Sequence, residues 1–158
     1  MRLRLLLSAT LFLSATTATA LSAQDAPAMV VSAAHLRALG DSLAPAASRT
    51  AQLGVGPGYT YAVTHRDSAG GVEAHADWTD VFVIESGSAT LLSGGRLDGA
   101  RETTHGEMRG GTIVGGMHRA LKPGDVVVIP AGTAHQMILI GGERISYLAF
   151  KIAKPSGA

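Results

Sequence analysis

The chain has 158 residues with 13 basic and 12 acidic side chains, a formal net charge of +1. That length suits one compact domain, and so balanced a charge gives no electrostatic case for nucleic acid or an anionic membrane as partner. Cysteine is absent, which excludes disulfides, thiolate metal sites and a lipoprotein anchor, while 20 glycines with only 4% aromatics point to many short strands and tight turns.

The first 23 residues read as an address. Arg2 and Arg4 form a positive start, Leu5 to Ala15 an apolar run too short to span a bilayer comfortably, and Ala18-Thr19-Ala20 and Leu21-Ser22-Ala23 two small-residue cleavage sites. This order predicts a secretory signal peptide over 1–23, cut after Ala20 or Ala23. The mature protein is then periplasmic or secreted, with no membrane contact after the signal is removed. Without the signal's two arginines, 11 basic and 12 acidic residues remain, a net of −1.

The segment 24–57 is expected to hold a short tail, one helix and a linker. Leu36, Leu39 and Leu43 recur at helical steps behind Ser32, a suitable N-cap, and Pro45 stops the pattern. Residues 46–57, ending in Gly54, Gly56 and Pro57, read as linker.

From Gly58 the period becomes two. Tyr59, Tyr61, Val63 and His65 alternate with Thr60, Ala62 and Thr64. Further strands are expected over 72–75, 80–85, 90–92, 117–121, 126–129, 135–140 and 145–152, whereas 97–116 reads as irregular. Eight or nine short strands at close spacing predict an all-β barrel or sandwich over 58–152, with 153–158 a C-terminal tail.

Two segments carry chemistry. The first is Glu73-Ala74-His75, four residues, Asp80, six residues, Gly87. The second is Gly124, five residues, Pro130-Ala131-Gly132, two residues, His135. Together they resemble the paired motifs of the cupin superfamily over about 58–152. The spacing matches; the residues match in part. Glu73 stands where a first histidine is usual, Asp80 where glutamate is usual, and Leu139 where asparagine is usual. The resemblance implies a single cupin-type β-barrel (jelly roll) with one N-terminal α-helix, in an exported bacterial protein.

Strand parity supports this reading. Residues two apart point the same way, so Glu73 and His75 share a face, as do Asp80, Phe82 and Ile84, and His135, Met137 and Leu139. Two carboxylates and two imidazoles inside one small barrel need a cation between them. Glu73, His75, Asp80 and His135 are therefore the expected metal ligands, for Zn, Mn, Fe, Ni or Co, with open positions left for a ligand. Asp77, two beyond His75, is an alternative carboxylate; Asp80 is preferred because its spacing to Gly87 follows the family pattern. Glu73, Tyr61 and His118 are candidate proton carriers, with Tyr61 and His65 at the pocket mouth.

The expected function is that of a metal-dependent enzyme acting on a small oxygen-rich molecule, such as a carboxylic acid, lactone or sugar, by proton-transfer, lyase or hydrolytic chemistry. The alternative is a non-enzymatic periplasmic module that binds or senses a small molecule. Pairing of cupins through sheet edges makes a homodimer an expectation from the resemblance.

Overall fold

The computed structural model describes residues 28–43 and 48–155. The signal peptide expected over 1–23 and the tail expected at 24–27 lie outside these residues, as do 44–47 and 156–158. The chain divides into Met1–Val30, of which only 28–30 are described and form no regular element, and a compact unit Val31–Ala158.

Helix α1 spans Ala33–Leu43, capped as expected by the Ser32 hydroxyl, which accepts from the His35 N–H at 3.2 Å. Thirteen strands follow: β1 (Ser48–Gly56), β2 (Tyr59–Arg66), β3 (Glu73–His75), β4 (Trp78–Gly87), β5 (Ala89–Ser93), β6 (Arg96–Asp98), β7 (Arg101–Thr104), β8 (Glu107–Arg109), β9 (Thr112–Val114), β10 (Met117–Leu121), β11 (Val126–Ile129), β12 (His135–Ile138) and β13 (Ile145–Ala153).

Two expectations are corrected. The linker placed over 46–57 is mostly strand β1, paired antiparallel with β2, so the sheet begins at Ser48 and not at Gly58. An edge strand tolerates glycine, and a bulge between Gln52 and Gly54 absorbs the irregular spacing. The irregular stretch over 97–116 is four short strands, β6 to β9. Their turns run through glycines with positive φ, which break any readable period.

The strands form a five-stranded sheet, β1-β2-β13-β4-β11, and a six-stranded sheet, β10-β5-β12-β3-β8-β7, with β6-β9 as a separate ribbon. All pairings are antiparallel. The core draws Phe82, Ile84, Ile129, Ile145 and Tyr147 from the first sheet and Leu91, Leu121 and Met137 from the second, so the two sheets pack face to face as a jelly roll. Ile84 and Ile145 are almost fully enclosed; deleting such a side chain costs about 2–5 kcal/mol.

Helix α1 lies on the outer face of the five-stranded sheet. Leu36 and Gly40 are buried there beside Val63 and Ser146. Gly40 packs against Ser146 there, where an added Cβ would make an ordinary van der Waals contact with the Ser146 Oγ at 3.4 Å. Gly87 ends β4 at φ +78°, where an added Cβ would collide with the Arg144 carbonyl oxygen, so only glycine fits the turn into β5.

Candidate metal centre

Strand parity sends alternate residues of the five-stranded sheet into the space between the sheets. Asp80 and Phe82 on β4, Tyr147, Ala149 and Lys151 on β13, and Thr60, Ala62, Thr64 and Arg66 on β2 all line one cavity of about 270 Å³. Glu73 and His75 reach it from β3 across the gap. The register makes these neighbours: Asp80 lies opposite Lys151, and Glu73 lies opposite His135. The Pro130–Gly132 loop is tied to the same place, because the Gly132 N–H donates to the His75 carbonyl at 2.7 Å.

At one end of the cavity the four expected ligands converge. His135 Nε2 is 3.3 Å from Glu73 Oε1 and 3.4 Å from Asp80 Oδ2. His75 Nε2 is 3.3 Å from the same Asp80 oxygen and 3.9 Å from Glu73 Oε2. Glu73, His75 and His135 form a set whose donor atoms all lie within 4.8 Å of one another. Asp80 stands beside both imidazoles but outside that mutual set, and its other oxygen accepts from Lys151 Nζ at 2.9 Å. Asp77, the alternative carboxylate, is not in the cavity wall.

The far nitrogens of both rings are already committed. His75 Nδ1 lies 2.7 Å from Glu107 Oε2, and His135 Nδ1 lies 3.0 Å from the Thr133 carbonyl oxygen. Both oxygens accept, so each Nδ1 carries the hydrogen and each Nε2 presents a lone pair. Those lone pairs face carboxylate oxygens, acceptor against acceptor. His135 Nε2 is buried with no hydrogen-bond partner, a cost of about 1–3 kcal/mol in a closed site. A proton on each ring would relieve the clash, but burial pushes both imidazoles below their usual range. Lys151 adds to this at both rings, against the opposing pull of Asp80 and of Glu107 or Thr133.

A divalent cation satisfies all of these atoms at once. Donors about 2.1 Å from one ion stand roughly 3.0–3.4 Å apart at tetrahedral to octahedral angles, which three of the four histidine–carboxylate distances match. Two imidazoles with one or two carboxylates form a set that suits Fe, Mn, Co, Ni or Zn.

Residues that sequence reasoning missed surround this set. Arg109 donates to Glu73 Oε2 and, at 2.9 Å, to Glu107 Oε2. Lys151 points inward to Asp80. Three carboxylates (Glu73, Asp80, Glu107) against two cations (Arg109, Lys151) leave one net negative charge beside two neutral imidazoles. That is a favourable field for a metal ion. One signal was readable: Glu107 and Arg109, two apart like Glu73 and His75, share one face.

Three residues expected at the site fall elsewhere. Tyr61 and His65 do share a face, but it is the outer one. Tyr61 stacks on Phe150 at a ring separation of 5.6 Å, and His65 Nδ1 meets the Ser146 Oγ at 2.8 Å. His118 is exposed on β10, in a groove bounded by β10 and β11. Of the apolar residues that share a face with Asp80 or His135, Phe82 lines the cavity, Ile84 and Met137 belong to the core, and Leu139 packs against it.

No protein-family model matches the chain, and no curated protein matches it. Solved structures do. The cupin domain of Cnp3 from Schizosaccharomyces pombe aligns with TM-score 0.51 and 14% identity, covering 68% of this chain and 65% of that one. The polyketide cyclase RemF from Streptomyces resistomycificus aligns at 0.49 and 15%, covering 69% and 68%. An oxalate oxidase aligns at 0.49 and 17%, covering 69% and 52%. The chain thus spans about two thirds of the first two and half of the third. The two facing sheets, the single helix among the described residues and the alignment with the fission yeast domain agree: this chain has the cupin fold.

Proposed function

We propose that the chain is a metal-dependent enzyme acting on a small oxygen-rich molecule, a carboxylic acid, lactone or sugar, by proton-transfer, lyase or hydrolytic chemistry. The observation that carries this reading is the convergence of two Nε2 lone pairs, one of them buried without a partner, on the carboxylates of Glu73 and Asp80. Glu73, His75 and His135 would hold the ion, with Asp80 beside them. When bound, the ion supplies Lewis acidity toward a ligand oxygen.

The chain's own residues supply the rest. The cavity, about 270 Å³, admits only a small molecule. Thr50, Thr60 and Thr64 give it a hydroxyl-bearing wall, and Phe82 and Ala149 an apolar one. Glu73 is the most open of the four donors, 28% exposed against 3–4% for the others, so it is the group placed to pass a proton.

A second reading is favoured by one specific contact. Arg109 holds the Glu73 carboxylate, and an ion-paired carboxylate is a poorer base. This supports a binding or sensing module using the same cavity. An exported setting, periplasmic or secreted, follows from the signal expected over 1–23. The unpaired outer edges of β10 and β11 support a homodimer.

Elemental analysis of the purified protein, then turnover assays with each of the five metals on sugars, lactones and hydroxy or keto acids, tests both readings. Stoichiometric metal with turnover supports the enzyme; metal without turnover on any of these replaces it with the binding module; no metal uptake removes the metal centre.

A further inference from the structure

Three basic side chains line the cavity, and two are committed. Arg109 is held by Glu73 and Glu107, and Lys151 by Asp80. The third, Arg66, forms no ion pair among the described residues. Among the described residues its guanidinium makes one hydrogen bond, from Nε to the Tyr147 hydroxyl oxygen at 3.0 Å. Nη1 and Nη2 keep their hydrogens for something else. Gly70 leaves them room, since a Cβ there would stand 3.1 Å from Nη1.

Tyr147 completes the arrangement. It is 4% exposed, packed against Phe82 at a ring separation of 4.8 Å, and its hydroxyl oxygen already accepts from Arg66. The phenol hydrogen is therefore free to donate, and no acceptor among the described residues takes it. Burial raises this phenol above its usual range, so the hydrogen stays in place at neutral pH. A positive fork and an adjacent O–H donor thus face a cavity whose carboxylates, Glu73 and Asp80, are already held by Arg109 and Lys151. Half-buried guanidinium groups are costly to leave unpaired, and a planar fork matches a carboxylate in two-point geometry.

We propose that Arg66 and Tyr147 form the anchor for a carboxylate group of the ligand, which fixes the ligand class as small carboxylic acids. This rests on the reading of the cavity as the ligand site. The anchor belongs to β2 and β13, the metal donors to β3, β4 and β12. The carboxylate is held by one group of elements while the rest of the molecule points toward the other. Arg66 reads identity and orientation; it is not a ligand to the ion.

The test compares glycolate, lactate and malonate with their neutral amides by ligand-observed NMR titration. It uses the purified chain both as metal-loaded and as chelator-treated protein. The wild type is expected to favour each acid over its amide by about tenfold or more in both states, the scale of a charge-assisted pair. Arg66→Gln should bring that ratio close to one while metal content stays unchanged, and Tyr147→Phe should lower it by a few fold. A ratio near one in the wild type, or an undiminished ratio in Arg66→Gln, overturns the proposal. If Arg66→Gln shows no cooperative melting transition, Arg66→Lys replaces it; it keeps the charge but not the fork, and an undiminished ratio there is equally fatal. Inorganic phosphate binding more tightly than all three acids would overturn the carboxylate assignment. A protein that takes up no metal but keeps the acid preference loses the metal centre alone, and the anchor stands.

Discussion

Glu107 Oε2 lies 2.7 Å from His75 Nδ1 and 2.9 Å from Arg109 Nη2, so one carboxylate fixes both the tautomer of a candidate ligand and the position of the cation that holds Glu73. The register explains it: β3 pairs with β8 so that His75 faces Glu107 and Glu73 faces Arg109. Outer partners of this kind orient metal-bound histidines and raise their basicity.

Glu107→Ala should therefore weaken metal binding by about 10- to 100-fold without removing any donor from the site. Competition with a chelator of known affinity measures this. Glu107→Gln should lie between the two, because its amide oxygen still accepts from Nδ1 but carries no charge. Wild-type affinity in the alanine variant would mean that His75 is oriented by packing alone.

Lys151→Met tests the balance at Asp80. That carboxylate is 4% exposed and its partner 38%, so the pair is only partly screened. Removing the cation should cost the metal-free protein about 1–3 kcal/mol, below the range for fully buried pairs. The same change should strengthen metal binding, because Asp80 is freed from a competing cation. Denaturant unfolding with and without metal gives both numbers. A loss of stability as large with metal as without it would place Asp80 outside the ion's reach.

The pH dependence has a defined sign. Burial sets both His75 and His135 below the ordinary 6.5. Below about pH 6.5 the unfolded chain takes up protons that the folded chain refuses, so stability is full above that value and declines as pH falls through the folded values. Calorimetry on metal-free protein from about pH 7.5 down to about 5 should show a falling melting temperature. A His75→Gln, His135→Gln double variant should flatten that slope. A melting temperature that rises on acidification would contradict the burial of these rings as neutral groups.

The convergence of Glu73, His75, Asp80 and His135 was legible because it depends on local rules. Glu73 and His75 share a face by parity, the step from His75 to Asp80 is a short turn of four residues, and the segment from Gly124 to His135 turns through Gly124 and Gly132. What parity cannot give is which face points inward. Tyr61 and His65 were rightly grouped, yet the helix covers their side of β2, and Thr60, Thr64 and Arg66 take the interior instead. Glu107 and Arg109 were missed for a different reason. They sit on a three-residue strand between glycine turns, too short to show a period, and only its distant pairing with β3 brings them to the site. Strand β1 was hidden by Gly54 and Gly56, which an edge strand accepts and a sequence reading takes for a linker.

The final prediction separates the two kinds of donor. His135 offers a buried Nε2 with no other partner, whereas Asp80 divides its oxygens between the imidazoles and Lys151. His135→Ala removes a donor with a lone pair already aimed and its hydrogen already fixed by the Thr133 carbonyl. Asp80→Asn keeps one oxygen of similar reach, while the charge and the second acceptor oxygen are lost. The alanine variant should therefore lose metal almost wholly, and the asparagine variant should keep a weakened site. Thermal stability reports this without an activity assay. An ion that binds only the folded chain raises the melting temperature in proportion to RT ln(1 + [M]/Kd), so a chelator should lower it in the wild type. The chelator-induced drop should vanish in His135→Ala and persist, reduced, in Asp80→Asn. The reverse order, with His135→Ala still responding and Asp80→Asn silent, would move the centre onto the carboxylates and away from the histidine pair.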